Sequence, residues 1–366
     1  MVKRFGRYGN LNQLIEFYKN KRVLVTGHTG FKGAWLSLWL EFLGAKVCGL
    51  SLNPKTKDDI FVVTNLHERV LDYRGDIRDQ HRVFEVFNAF KPEIVFHLAA
   101  QPIVSESYSR PVETYDVNVM GTINVLEAIR NSSSTKIGVF ITTDKVYKNT
   151  ENDKGYLETD ELGGYDPYSS SKAAAELAIE SWRLAFINPN EIDRHGKSIS
   201  SVRSGNVIGG GDWSENRLIP DYIRALRNKE VLSLRNPQSI RPWQHVLDPL
   251  YGYLLLAMRM WKNPTNFCGA WNFGPSVNSQ VKVIDLLNAM AEKKADIEYQ
   301  FVKQNFHETQ KLLLNSKKAF DLLGWKNHLD LSNTIKFTMD WYNEMNGDNK
   351  FSLSMKQLKA YMELVT

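Results

Sequence analysis

The sequence predicts an α/β protein built on a doubly wound parallel sheet, with a smaller mixed region toward its C-terminus. Three observations carry this. Through the first half, short β-branched runs alternate with helical periods of ten or more residues, the spacing of parallel crossover units. The runs are almost continuously apolar, as strands covered on both faces must be. A glycine-rich turn separates the first run from the first helical stretch, the place where such sheets hold a ligand.

The elements follow in order. Leu11 to Tyr18 suits a short helix, Arg22 to Thr26 (RVLVT) a strand, Ala34 to Leu43 an apolar helix and Lys46 to Leu52 a second strand. Val83 to Phe90 reads as helix, Ile94 to Leu98 as strand, Val119 to Asn131 as helix and Ile137 to Ile141 as strand. Asp166 can cap a helix whose first position is Pro167. Leu250 to Trp261 is the densest apolar stretch. It falls short of the roughly 20 residues that span a bilayer and reads as a buried helix. Past Gly205 the alternation fades. Residues 1–205 and 243–270 are therefore expected to form the first domain, and 206–242 and 271–366 the second.

Composition narrows the function. The 366 residues carry 46 Lys and Arg against 41 Asp and Glu, a net charge of +5. That is too mild to argue for nucleic acid, though it suits an anionic small molecule. Two cysteines allow neither a disulfide framework nor a cysteine-rich metal site, and fit a cytoplasmic protein. The opening residues lack a continuous apolar run and a small-residue cleavage site, so no signal peptide is expected.

Gly27, Gly30 and Gly33 stand in TGHTGFKG (26–33). Such a turn needs a tight bend, a close approach to a pyrophosphate and close packing of helix on strand. The helix that follows offers unpaired N–H groups and the positive end of its dipole. The second strand ends at Gly49 to Asn53 without the acid that usually holds the adenosine ribose. That rule leaves NAD against NADP open. Asp76, in Gly75-Asp76-Ile77, either reaches an adenine amino group or caps a helix.

Tyr168 and Lys172 are four apart at the start of a helix and share a face. An ammonium beside a phenol eases its ionisation below the reference of about 10, which makes a base for a sugar or alcohol hydroxyl. The alternative is an amphipathic surface helix. Thr142-Thr143-Asp144-Lys145 follows an apolar strand directly, at the carboxyl end where side chains line the crevice.

The order GxxGxxG, Leu98-Ala99-Ala100-Gln101, Thr142 to Lys145 and Tyr168-Ser-Ser-Ser-Lys172 resembles that of the extended short-chain dehydrogenase/reductases, whose fold is Rossmann-type. Within them the chain is most similar to the CDP-glucose 4,6-dehydratases. NVMGT (118–122), GGYDPYSSSKAAAE (163–176), SGNVIGGGDW (204–213) and IRPWQHV (240–246) carry the likeness, which covers about residues 21 to 345.

The resemblance implies NAD held by Gly27, Thr29, Gly30, Phe31, Lys32, Gly33, Asp76 and Ile77. Leu98, Ala99, Ala100, Gln101, Asn118, Thr142, Tyr168 and Lys172 complete that set. It implies CDP-glucose on Asn206, Arg217, Leu218, Arg241 and His307, and no metal. Tyr168, assisted by Thr143, takes the 4-hydroxyl proton during oxidation at C4. Asp144 protonates the departing 6-hydroxyl, and Lys172 holds the nicotinamide ribose and lowers the pKa of Tyr168. Lys145 stands where related dTDP-sugar dehydratases carry glutamate. It enters the C5 step as a base or by positioning water. Ser105-Glu106 and Leu312 to Asn315 depart from the pattern, leaving open a 4,6-dehydratase for another nucleotide sugar. A 4-epimerase on the same scaffold would share Thr143, Tyr168 and Lys172 without needing the acid Asp144, and a non-catalytic NAD-binding protein would not need Tyr168 and Lys172 together. The resemblance also implies a homodimer or homotetramer paired through helices near 119–131 and 168–187.

Overall fold

The computed structural model describes residues 11–151, 153–275, 279–292, 297–302, 311–343 and 350–365. Its centre is a sheet of seven strands: β1 (Arg22–Thr26), β2 (Lys46–Ser51), β3 (Leu71–Arg74), β4 (Ile94–His97), β5 (Ile137–Ile141), β6 (Ser198–Arg203) and the strand Gly269–Asn272. All pair in parallel. The order across the sheet is Gly269–Asn272, β6, β5, β4, β1, β2, β3. The chain builds outward from β1 to β3 and then restarts on the other side with β4. Loops leaving β1 and β4 therefore diverge, and a crevice opens between their carboxyl ends. The doubly wound prediction holds.

Successive strand residues point to opposite faces, and each face has its own core. Val23, Val25, Ile94, Phe96 and Val139 meet the helices Phe31–Phe42 and Leu247–Lys262 on one face. Leu24, Val95, Phe140 and Ile199 meet Gln80–Phe90 and Gly121–Asn131 on the other. The helix Leu247–Lys262 buries thirteen of its sixteen residues, so it is interior around nearly its whole circumference. It carries Asp248, whose Oδ1 accepts hydrogen bonds from Tyr361 Oη and the His328 backbone N–H, each at 2.8 Å. That carboxyl ties the C-terminal helix Lys350–Leu364 to the core.

Three sheet strands escaped the periodicity argument. β6 reads SISSVR, too polar to suggest a central strand, yet every residue is buried. Its serines satisfy their hydroxyls on segments distant in the chain: Ser198 donates to Pro264 O, Ser200 to Phe267 O and Ser201 to Glu176. β3 is an edge strand with Asp72 and Arg74 on it. The strand Gly269–Asn272 is short and carries the sheet across residue 271, where the sequence placed the return to the second region.

Three two-stranded ribbons of the described residues stand apart from this sheet. Val207–Ile208 pairs with Gln244–His245, Ile240–Pro242 with Gln280–Lys282, and Leu232–Leu234 with Tyr299–Phe301. Among the described residues, no helix is long and apolar enough to cross a membrane.

Candidate active site

A groove of about 1330 Å³ runs along the carboxyl edge of the sheet. It begins at the turn after β1, where Gly30 precedes the helix Phe31–Phe42. A Cβ on Gly33 would lie 2.1 Å from Gly27 O, so only glycine lets the helix close this tightly on the turn. Gly27, Thr29, Gly30, Phe31, Lys32 and Gly33 all line the groove. Thr29 Oγ1 meets Ser51 Oγ at 2.7 Å and donates to Leu52 O at 3.1 Å, so hydroxyls occupy the end of β2 where an acid was absent. Asp76 and Ile77 form the neighbouring wall. Asp76 is already engaged: its Oδ2 accepts from Arg78 Nη2 at 2.6 Å.

The middle of the groove is built by β4 and β5. Leu98, Ala99, Ala100 and Gln101 line it. Asn118 does not; it is buried beneath, accepting from Gln101 N at 2.9 Å and donating to Ser171 Oγ at 2.9 Å. It reaches the groove only by holding the Gln101 loop against the helix Pro167–Ala185.

That helix starts as its sequence predicts, with Asp166 accepting from Ser169 N at 2.9 Å and Pro167 at its first position. Its first turns bring Tyr168 and Lys172 into the groove beside Thr142, Thr143, Asp144 and Lys145. Asp144 is 3% exposed and accepts from Thr143 Oγ1 at 3.0 Å. Its carboxylate lies against Gly205, where an added Cβ would fall 1.8 Å from Oδ2. Lys172 Nζ donates to Ile141 O at 3.1 Å.

The electrostatics correct one expectation. Burial pushes the Tyr168 phenol up to about 12, with Thr143 and the Arg217 guanidinium pulling the other way and Asp144 adding to the rise. Burial also lowers Lys172 to about 8, against the pull of Glu176. Both groups have left water, and the cost of charging a buried group dominates each shift. The cation that eases ionisation of Tyr168 is Arg217.

Lys32 brings a second surprise. Its backbone belongs to the glycine turn, but its ammonium crosses to Ser204 Oγ at 2.8 Å. There it feels Arg217, Asp144 and Lys172, and burial brings it down to about 7.

At the far end, Asn206, Arg217, Leu218 and Arg241 line the groove. Arg217 Nη1 pairs with Asp212 Oδ2 at 2.9 Å. His307 lies outside the described residues. His245 is a packing residue: it is buried against the Trp35 and Phe337 rings and held down to about 3 by burial. Sequence reasoning missed Gly205, Asp212 and Glu176. For Glu176 a signal existed, because it follows Lys172 by one helical turn. Among the described residues no cluster of acids, histidines or cysteines could hold a metal.

The family model for GDP-mannose 4,6-dehydratase matches residues 24–338. The chain belongs to this family. The individual relatives carry names that differ in nucleotide sugar. CDP-glucose 4,6-dehydratase of Salmonella typhimurium is 43% identical over 96% of this chain and 98% of its own. A probable dTDP-glucose 4,6-dehydratase of Sinorhizobium fredii is 28% identical, covering 88% and 93%. Among solved structures, the UDP-glucose 4-epimerase of Thermus thermophilus in complex with NAD superposes with a TM-score of 0.76 at 25% identity, over 88% of this chain and 99% of that one. The likeness to both dehydratases and an epimerase means that the scaffold alone does not choose the reaction.

Proposed function

We propose that this protein is a hydro-lyase that converts CDP-glucose to CDP-4-keto-6-deoxyglucose and water, with NAD as resident cofactor. The observation that carries the reading is Asp144, a buried carboxyl one residue past Thr143 on the groove wall that holds Tyr168. Epimerisation at C4 needs a base and no acid there; elimination of the 6-hydroxyl needs a proton donor. The relative at 43% identity supports the same choice.

The turn from Gly27 to Gly33 and the amino end of the helix behind it suit a dinucleotide pyrophosphate. Bound NAD would supply reversible hydride acceptance, out of C4 and back to C6 once water has left and as C5 takes a proton, so no outside oxidant is required. Lys172 holds the nicotinamide ribose. Tyr168, with Thr143 on the same oxygen, takes the proton of the sugar 4-hydroxyl. The C4 ketone acidifies the proton at C5, and Asp144 gives its proton to the departing 6-hydroxyl, which leaves as water. Lys145 takes part at C5, as a neutral base or by holding a water. Arg217 and Arg241 offer guanidinium forks to the diphosphate, and Asn206 and Leu218 flank it. Arg217 must exchange part of its pairing with Asp212 for the substrate.

Two copies pair in this reading through neighbouring helices that leave Val112, Tyr115, Met120, Leu177 and Leu184 exposed. The cytoplasm is the proposed compartment, where the unpaired Cys48 and Cys268 stay reduced.

Incubation with CDP-glucose in deuterium oxide tests the reading. The expected product is the 4-keto-6-deoxy sugar, deuterated at C5, without net reduction of the nicotinamide. CDP-galactose as product would make the protein an epimerase. Turnover of UDP-, dTDP- or GDP-sugars in preference to CDP-glucose would overturn the choice of nucleotide.

A further inference from the structure

One buried ion pair lies directly behind the acid-bearing turn, outside the groove. Glu176 and Arg203 are each 3% exposed. Arg203 grips the carboxylate with both prongs of its fork, Nε to Oε1 at 3.0 Å and Nη2 to Oε2 at 2.9 Å. Ser201 Oγ also donates to Glu176 Oε2 at 2.6 Å, and Arg203 Nη1 to Glu158 O at 3.2 Å. Two further partners reach the two ends of one short segment. Thr142 Oγ1 donates to Glu176 Oε1, and Arg203 Nη1 donates to Tyr147 Oη at 2.6 Å. Tyr147 Oη in turn donates a hydrogen bond to Asn272 Oδ1 at 2.8 Å. Between Thr142 and Tyr147 lie Thr143, Asp144 and Lys145. Glu176 itself stands on the helix Pro167–Ala185, one turn beyond Lys172.

We propose that Glu176 and Arg203 are a positioning pair, which holds the turn bearing Thr143, Asp144 and Lys145 in register with the helix bearing Tyr168 and Lys172. The inference rests on the dehydratase reading above for what the register serves. Stability alone does not account for the pair. Taking two charges out of water is costly, and apolar residues of similar volume often serve a fold as well or better. What apolar residues cannot do is grip Thr142 and Tyr147 at once by directed bonds from one helix and one strand. The carboxylate also favours the charged form of Lys172, opposing its burial.

Two variants test this: Glu176→Gln, and the double variant Glu176→Leu with Arg203→Met, which removes both charges and leaves no orphaned cation. Hydrogen exchange over residues 142–148 is measured alongside kcat and KM for CDP-glucose. Both variants should exchange about tenfold faster or more across 142–148 while the helix Gly121–Asn131 keeps its protection. Values of kcat should fall about 10- to 100-fold, with KM within about threefold of the unmodified protein. Should Glu176→Gln fail to fold, the double variant decides alone. Native protection of 142–148 in that double variant, or native kcat, overturns the proposal. An unmodified protein that turns over no nucleotide sugar sinks the dehydratase reading instead, and the exchange measurement still decides whether the pair holds the turn.

Discussion

Asp144 and Gly205 are packed so closely that a single methyl group on the glycine would come within 1.8 Å of the carboxylate oxygen. The acid's position is therefore set from outside its own turn, by a residue 61 positions later on the segment following β6. Gly205 has no room for any side chain while Asp144 faces the groove.

Gly205→Ala should displace the Asp144 carboxylate and slow turnover by about 10²-fold, the usual penalty for misplacing a catalytic group by an ångström. The cofactor-binding turn lies elsewhere, so NAD affinity should stay within about threefold. Steady-state kinetics with a cofactor titration checks both. Full activity in this variant would mean that Asp144 can act from another position.

Asp144→Asn keeps the shape and removes the proton. Oxidation at C4 should continue while elimination slows by about 10²-fold, in the range of a lost general acid. Reduced nicotinamide should then accumulate on the enzyme, visible as an absorbance burst in stopped flow. Absence of a burst, with oxidation itself stopped, would move Asp144 from the elimination step to the first one.

The pH profile should be shaped by Lys172. Its ammonium, lowered to about 8 by burial against the pull of Glu176, is lost as pH rises. The group proposed to hold the ribose thus loses its charge above about pH 8. Tyr168, held up to about 12 in the free protein by burial, gains base form over the same range. The predicted kcat/KM rises with pH and levels off above about pH 8, where the gain in phenolate cancels the loss of ammonium. Lys172→Met should abolish that break near pH 8 along with most activity, which a pH series on both proteins decides.

Asp248 carries a stability prediction. Burial pushes its carboxyl up to about 7, against the bonds from His328 and Tyr361; the unfolded value is about 3.9. Below about pH 4 both states are protonated and its contribution is fully present. As pH rises from about 4 through about 7 the unfolded chain ionises first, so stability is lost and stays reduced above. Asp248→Asn keeps the acceptor and cannot ionise. Its Tm should exceed that of the unmodified protein by about 2–4 °C near pH 8, with the gap closing near pH 4. Thermal melts across pH measure it, and a gap that does not change with pH refutes it.

Much of the site was legible in local sequence because its parts are themselves local. A glycine turn between strand and helix, a capped helix bearing Tyr168 and Lys172 one turn apart, and Thr143 and Asp144 at a strand end each announce themselves within a few residues. β1, β4 and β5 were equally plain, since strands buried on both faces must be apolar. β6 was not, because its serines hide their polarity in bonds to Pro264, Phe267 and Glu176, partners no window of sequence contains.

The sequence by itself determined the doubly wound class and placed the glycine turn, both of which follow from backbone periodicity and residue chemistry over short spans; the roles proposed for Thr143, Asp144 and Tyr168 came with the family resemblance. Tertiary structure alone decided how those groups behave. It took Tyr168 and Lys172 out of water, so that each became harder to charge. It set Arg217 beside the phenol and swung the Lys32 ammonium from the cofactor turn to Ser204. Burial and distance in space govern such effects, and neither is a property of neighbouring positions in a chain.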